Sequence, residues 1–331
     1  MDKAKKTLTD DFTYNTKGRF GFTRVKSIKF KKTRERFYCL LICKYKGASK
    51  MKISSNFIRF HNELGLKKTI DIFSEAGFEG IDFNTDLEEY YTDVHNEDFY
   101  KNIKEYANDR GIVFAQTHAP FPSSFVDEEK TKKRFGEIVK SMEHSSYLGA
   151  DMTVIHPCKH INCKENNNYD LMMEYNLDFY KRLIPYAERY NIKIAIENID
   201  NCITETSKGL LELINSLNNG VFTVCYDVGH ANICGQNPAD MIKEIGKYIG
   251  CTHIHDNDGI HDSHTLPYYG TIDWESVMKA FAEIGYEGNL NYEAGLFVNN
   301  VPVCMRKESA IYMAKIGKYL IERFQYYKNN Q

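Results

Sequence analysis

The sequence has no apolar run near the ~20 residues needed to cross a bilayer as a helix. Its start, MDKAKKTLTDDF, lacks the apolar segment of a secretory signal. The nine cysteines form an odd set without tight spacing, which excludes a disulfide framework and fits reduced thiols in a cytoplasmic protein. No Gly-rich phosphate fingerprint follows the first strand-like segment. No internal repeat, low-complexity tract or Pro/Gly/Ser-rich linker interrupts the chain after Met51. Membrane, fibrous and small secreted classes are thereby excluded. What is left is an ordinary globular composition, 42% hydrophobic and 27% charged over 331 residues.

The net charge of −2 hides an asymmetry. Residues 1–50 hold 15 of the 43 Lys and Arg but only 4 of the 45 Asp and Glu. A basic arm of this kind can bind nucleic acid or an anionic surface. The simpler reading is a disordered or loosely packed basic extension, because Met51 opens MKISSNF, which reads as a first strand. The two expected regions are therefore an extension, 1–50, and one domain, 51–331. The acidic balance of the domain disfavours nucleic acid as a partner.

From Met51 the chain alternates strand and helix patterns. Short β-rich runs occur at 51–57, 78–83, 112–118, 152–157, 192–198, 221–227, 251–256 and 289–294. Between them lie stretches of helical period, such as Leu66, Ile70, Phe73 and Ala76, or Leu210, Leu213, Ile214 and Leu217. Eight strands alternating with helices match a (β/α)₈ TIM barrel, typically ~250 residues. The missing phosphate fingerprint argues against a doubly wound open sheet.

From the third strand onward, nearly every strand ends in a side chain able to bind a metal. These are His118, His156, Glu197 and Asp227, with His230 three residues on. The seventh run carries His253 and His255, followed by Asp262 and His264, and the eighth ends in Glu293. A barrel brings all its strand C-termini to one face. Charges and imidazoles at the ends of apolar strands are costly to bury unless they are paired or bound to a metal. Six successive strand ends with the same feature point to one metal-lined pocket.

The segments THAPF (117–121), VIHP (154–157), IENI (196–199), YDVGHAN (226–232), HIHDNDG (253–259), DSH (262–264), GTIDW (270–274) and NYEAG (291–295) resemble the xylose isomerase-like barrel superfamily. It contains sugar-phosphate isomerases and epimerases as well as endonuclease IV. The resemblance implies a divalent ion held by Glu197, Asp227, His253 and Glu293. His253 is chosen over His255 because the family pattern is His-x-x-Asp, matched by His253 through Asp256. It also implies additional metal ligands at His118, His156, His230, Asp262 and His264, which complete the nine-ligand zinc set of endonuclease IV. His230, His255, His264 and Phe121 are then the expected substrate-binding residues.

The activity implied is a divalent-metal-dependent sugar or sugar-phosphate isomerase or epimerase. Glu197 and Glu293 would transfer protons through a metal-stabilised enediolate. Three carboxylates and one imidazole suit Mn²⁺ or Zn²⁺, with Mg²⁺ or Co²⁺ as substitutes. The partner is a small-molecule sugar, with a homo-oligomer as a further expectation from the superfamily. Ile203 and Gly259 stand where ketose 3-epimerases carry Glu and Arg, which counts against that subgroup. The alternative activity is an endonuclease IV-like zinc phosphodiesterase acting on abasic DNA. Against it, Ala119-Pro120-Phe121-Pro122 replaces that enzyme's DNA-inserting Tyr-Leu pair. A barrel that binds metal without catalysis is a third reading.

Overall fold

The computed structural model describes residues 51–160 and 168–331. The basic segment 1–50 and residues 161–167 lie outside the described residues.

Each strand is a short buried run that stops where polar residues begin. In chain order they are β1 (Ile53–Asn56), β2 (Gly80–Asn84), β3 (Val113–His118), β4 (Met152–Ile155), β5 (Lys193–Glu197), β6 (Phe222–Asp227), β7 (Ile249–His253) and β8 (Leu290–Tyr292). The connecting helices are α1 (Ile58–Leu64), α2 (Leu66–Ala76), α3 (Glu88–Tyr91), α4 (Glu97–Asn108), α5 (Glu128–Leu148), α6 (Tyr169–Tyr190), α7 (Ser207–Leu217), α8 (Val228–Ile233), α9 (Pro238–Ile245), α10 (Trp274–Glu283) and α11 (Arg306–Lys328).

All strand pairs are parallel, in the order β7-β6-β5-β4-β3-β2-β1-β8. The last seam closes just beyond β7. Ile254 N–H donates to Asn291 O at 2.8 Å, and Glu293 N–H donates to Ile254 O at 3.1 Å. The result is the expected (β/α)₈ barrel. The helical stripes also behave as their period requires: Leu66, Ile70, Phe73 and Ala76 of α2 are buried, as are Leu210, Leu213, Ile214 and Leu217 of α7. Phe73 stacks on Phe78, with centroids 4.9 Å apart, and meets Phe60 edge-on at 5.0 Å.

Three boundaries differ from the sequence expectation. The seventh strand starts at Ile249 and ends at His253, so His255 and Asp256 lie past it. Ile254, the next residue, makes the parallel bridge to Tyr292 of β8. His156 and Glu293 sit one residue beyond β4 and β8.

Every strand of the barrel lies within 53–292. A chain beginning at Met51 is therefore expected to unfold cooperatively, with a midpoint within about 3 °C of the full chain's. A midpoint lower by about 10 °C or more in a thermal scan would show that residues 1–50 stabilise the barrel.

Candidate metal centre and active site

Strand periodicity builds the site. Val154, Ala195, Cys225 and Cys251, on four adjacent strands, form one small buried cluster. Side chains two residues further along a strand point the same way. Those residues are His156, Glu197, Asp227 and His253. Small side chains thus fill the layer below, and the polar layer rests on it at the C-terminal mouth of the barrel.

Glu197 lies at the centre. Its Oε1 is 2.9 Å from His253 Nδ1 and 3.4 Å from His230 Nδ1; its Oε2 is 2.9 Å from His156 Nε2 and 3.6 Å from His118 Nε2. His253 Nδ1 also lies 3.2 Å from Glu293 Oε2 and 3.9 Å from Asp227 Oδ2. One donor atom each from Glu197, Asp227, His253 and Glu293 falls within 4.8 Å of the others. The same holds for His118, His156 and Glu197, and for His230, His255, Asp262 and His264. His118, His253 and Glu293 make a fourth such group, so the expected ligands come together in four groups, three of which share members.

The outer nitrogens of several imidazoles are tied down. His118 Nδ1 donates to Ala119 O at 2.9 Å, His230 Nδ1 to Asn198 O at 3.0 Å and His264 Nδ1 to Glu293 O at 2.7 Å. In the neutral ring this leaves the Nε2 lone pair of each facing the site, as metal-binding histidines require. His118 and His156 bring their Nε2 atoms to 3.1 Å.

Two latches hold these parts. Asn198, the residue after Glu197, accepts the Asp227 N–H at 2.7 Å and donates to the Asp227 carbonyl at 2.8 Å, locking the ends of β5 and β6 together. Asp227 in turn caps α8 by accepting the His230 N–H at 2.6 Å. The buried Asp256 fixes the loop that returns Asp262 and His264. It accepts backbone N–H groups of Asn257 (2.9 Å), Ile272 (3.3 Å) and Tyr268 (2.9 Å), together with the Trp274 indole N–H (2.8 Å). A Cβ at Gly270 would lie 2.3 Å from Asp256 Oδ1, so only glycine fits beside this latch. Gly229 plays the same part under His255, whose ring would lie 2.0 Å from an added Cβ.

Charge decides what the arrangement can do. Asp82, Glu197, Asp227, Asp262 and Glu293 converge on this mouth, and no Lys or Arg pairs with any of them among the described residues. Burial would raise the pKa of Glu197, but the charges of His253 and His156 outweigh it and hold the carboxyl well below the usual carboxylate range. Burial would lower the pKa of His118, yet the Glu197 carboxylate 3.6 Å away holds it up at about 9. His264 is likewise pushed up to about 9, burial being outweighed by Asp262. Protons on imidazoles therefore supply the neutralising charge whenever no cation does. Glu197 Oε2 and Asp227 Oδ2 are buried without a hydrogen bond, although His156 Nε2 is only 2.9 Å from the first. Buried carboxylate oxygens without donors, facing imidazole nitrogens, fit a divalent cation.

The remaining expected residues fall as follows. Phe121 is 49% exposed at the rim, its ring stacked 4.8 Å from that of His156. His255, expected to reach the substrate, is fully buried with the His264 ring stacked over it at 4.1 Å. It meets Asp227 Oδ1 at 3.0 Å and Asp262 Oδ1 at 3.6 Å. Cys158 is buried, with its N–H held by Asn176. Tyr90 packs under the rim against Phe83. Sequence reasoning missed Asp82, Asn198 and Asp256 as working parts. For Asn198 the visible signal was an amide directly after the acid that ends β5.

A family model described as a xylose isomerase-like TIM barrel matches residues 70–296. The chain is 32% identical over 206 residues to an uncharacterised protein of Methanocaldococcus jannaschii, covering 58% of this chain and 69% of that one. It is 20% identical over 234 residues to the D-psicose 3-epimerase of Enterocloster bolteae, covering 67% and 74%. The crystal structure of the IOLI protein with a bound zinc atom superposes with a TM-score of 0.69 at 24% identity, covering 84% of this chain and 99% of that one.

Imidazoles with raised pKa values stabilise the fold fully below their unfolded value of 6.5, and that stability is lost as pH rises through about 9. In chelator, the thermal midpoint is expected to fall from about pH 7 to about pH 9.5, and excess Mg²⁺ to flatten that fall. A midpoint in chelator that stays flat or rises across this window would contradict proton compensation. For the loop latch, Asp256→Ala is expected to cost about 3 kcal/mol or more in urea unfolding. It should also open residues 257–273 to proteolysis. A variant as stable and as resistant as the parent would refute the latch.

Proposed function

The chain belongs to the xylose isomerase-like TIM barrel family, and from that premise we propose that it is a divalent-metal-dependent isomerase or epimerase of a sugar or sugar phosphate. The observation that carries this reading is the single cluster of Glu197, Asp227, His253 and Glu293, with four donor atoms within 4.8 Å of one another. These four would hold the ion. When bound, it would supply electrophilic polarisation of a substrate carbonyl and its neighbouring hydroxyl. The named relatives that process sugars, such as the D-psicose 3-epimerase, support a sugar as the substrate class.

The chain's own residues supply the rest. Glu293 shows 20% of its side chain to solvent, whereas Glu197 shows 1%, so the two carboxylates face a substrate from the open and the deep sides of the mouth. Burial raises the pKa of Glu293 but the His253 charge outweighs it, so both carboxyls begin ionised and act first as bases. Glu293 takes the proton from the carbon next to the carbonyl and, now protonated, returns it to the neighbouring carbon; for inversion at one carbon, Glu197 first takes up a proton from the His118 imidazolium 3.6 Å from its Oε2 and gives it to the opposite face. His230 and His264, each with Nδ1 fixed on a backbone carbonyl, orient hydroxyls. The exposed ring of Phe121 walls the apolar C–H face of the sugar.

One observation favours a second reading. All nine side chains that match the endonuclease IV zinc set, His118, His156, Glu197, Asp227, His230, His253, Asp262, His264 and Glu293, fall within the four groups of neighbouring donors. A zinc phosphodiesterase acting on abasic DNA is thus the alternative, and cleavage of an abasic-site oligonucleotide by the zinc-loaded protein would transfer the assignment to it.

A panel of ketoses and their phosphates incubated with the Mn²⁺-loaded protein in D₂O should show deuterium incorporation beside the carbonyl by proton NMR. Glu197→Gln and Glu293→Gln are each expected to lower that exchange by about 10³-fold or more while leaving the circular dichroism unchanged. Near-full exchange in either folded variant would reject the acid/base roles.

A further inference from the structure

Asp82 stands in the middle of β2, and its side chain is among the most buried charges in the barrel, 1% exposed. Ionised carboxylates are rarely placed in a dry core without partners. Three side chains from three other strands converge on one oxygen. Gln116 Nε2 of β3 donates to Asp82 Oδ2 at 3.0 Å, Asn291 Nδ2 of β8 donates at 2.9 Å, and His253 Nε2 of β7 lies 3.2 Å away. No Lys or Arg pairs with Asp82 among the described residues; His253 is its only ion-pair partner there.

An ionised carboxylate only accepts hydrogen bonds, so the His253 nitrogen facing it must carry a proton. In the neutral imidazole, Nδ1 then holds the lone pair. Nδ1 is the atom 2.9 Å from Glu197, 3.2 Å from Glu293 and 3.9 Å from Asp227. Without Asp82, nothing on the far side of the ring would prefer the Nε2–H tautomer, and the Nδ1–H form could instead donate to Glu197. We propose that Asp82 is a positioning residue: by holding the Nε2–H of His253, it keeps the Nδ1 lone pair turned toward the three carboxylates as a cation ligand. Gln116 and Asn291 fix the Asp82 carboxylate in the plane where it can do so. The inference rests on the proposed cation site, and it adds to that reading a further strand, β2, which contributes no ligand of its own.

The full chain, stripped with chelator, is titrated with Mn²⁺ and free ion is followed by electron paramagnetic resonance. Asp82→Asn is expected to weaken binding by about 10- to 100-fold, with the thermal midpoint of the stripped protein little changed. Long-range proton–nitrogen NMR of the zinc-loaded parent, labelled with ¹⁵N-histidine, should place the His253 proton on Nε2, and Asp82→Asn should broaden or move that signal. A purely structural role would leave the tautomer signal where it is. Unchanged Mn²⁺ affinity in folded Asp82→Asn overturns the role of Asp82 alone. An Nδ1–H tautomer in the zinc-loaded parent does the same even if the variant fails to fold. Absence of Mn²⁺ binding by the parent overturns both this inference and the function it rests on.

Discussion

Five carboxylates are drawn into the mouth of one barrel with no Lys or Arg among the described residues to pair with them, and the structure depends on how that charge is met. Burying several ionised groups together is strongly unfavourable unless positive charge sits between them. Here the available counter-charge is either protons on His118, His230, His253 and His264 or a divalent cation. The imidazole pKa values are displaced upward for this reason, and the two central glutamates downward. A cation answers the same need with fewer parts. It also gives the orphaned oxygens of Glu197 and Asp227 a partner.

The barrel makes this crowding tolerable by rigid support from below and around. Val154, Ala195, Cys225 and Cys251 fill the layer under the site, so the polar side chains two residues on have no room to sink. Asn198 ties β5 to β6, Asp256 ties a seventeen-residue span from Asn257 to Asp273 back to the mouth, and Asp82 reaches His253 from the other side of the cylinder. Depth then separates roles. Glu197 and His253 are sealed, whereas Glu293 and His264 each show 20% of their side chains, leaving an open edge where a substrate can enter beside Phe121.

The strands were legible because each is a short apolar run, and the candidate ligands because an acid or imidazole ends that run. The direction of His255 was legible by the same rule, for it reaches Asp227 beside His253; its full burial under the His264 ring was not, because that ring arrives on a later loop. Asp82 was illegible for a different reason. An acid inside FEGIDF resembles a solvent-facing residue until the fold brings His253 and Asn291 to it from 171 and 209 residues away. Asp256 was visible as part of a motif, but its work, gathering three backbone amides and an indole, depends on a loop geometry that no local pattern encodes. Residues 1–50 were marked off by their charge and by the strand pattern that opens at Met51, and their role is a matter for the truncated chain.

The central claim is that Glu197, Asp227, His253 and Glu293 share one divalent ion. X-ray diffraction from crystals grown with Mn²⁺, recorded at a wavelength where manganese scatters anomalously, tests it most directly. The account predicts a strong anomalous peak bonded to one oxygen of each carboxylate and to Nδ1 of His253, at about 2.0–2.3 Å. Fully saturated crystals with no peak between these four side chains, and the carboxylates paired only with protonated histidines, would contradict it.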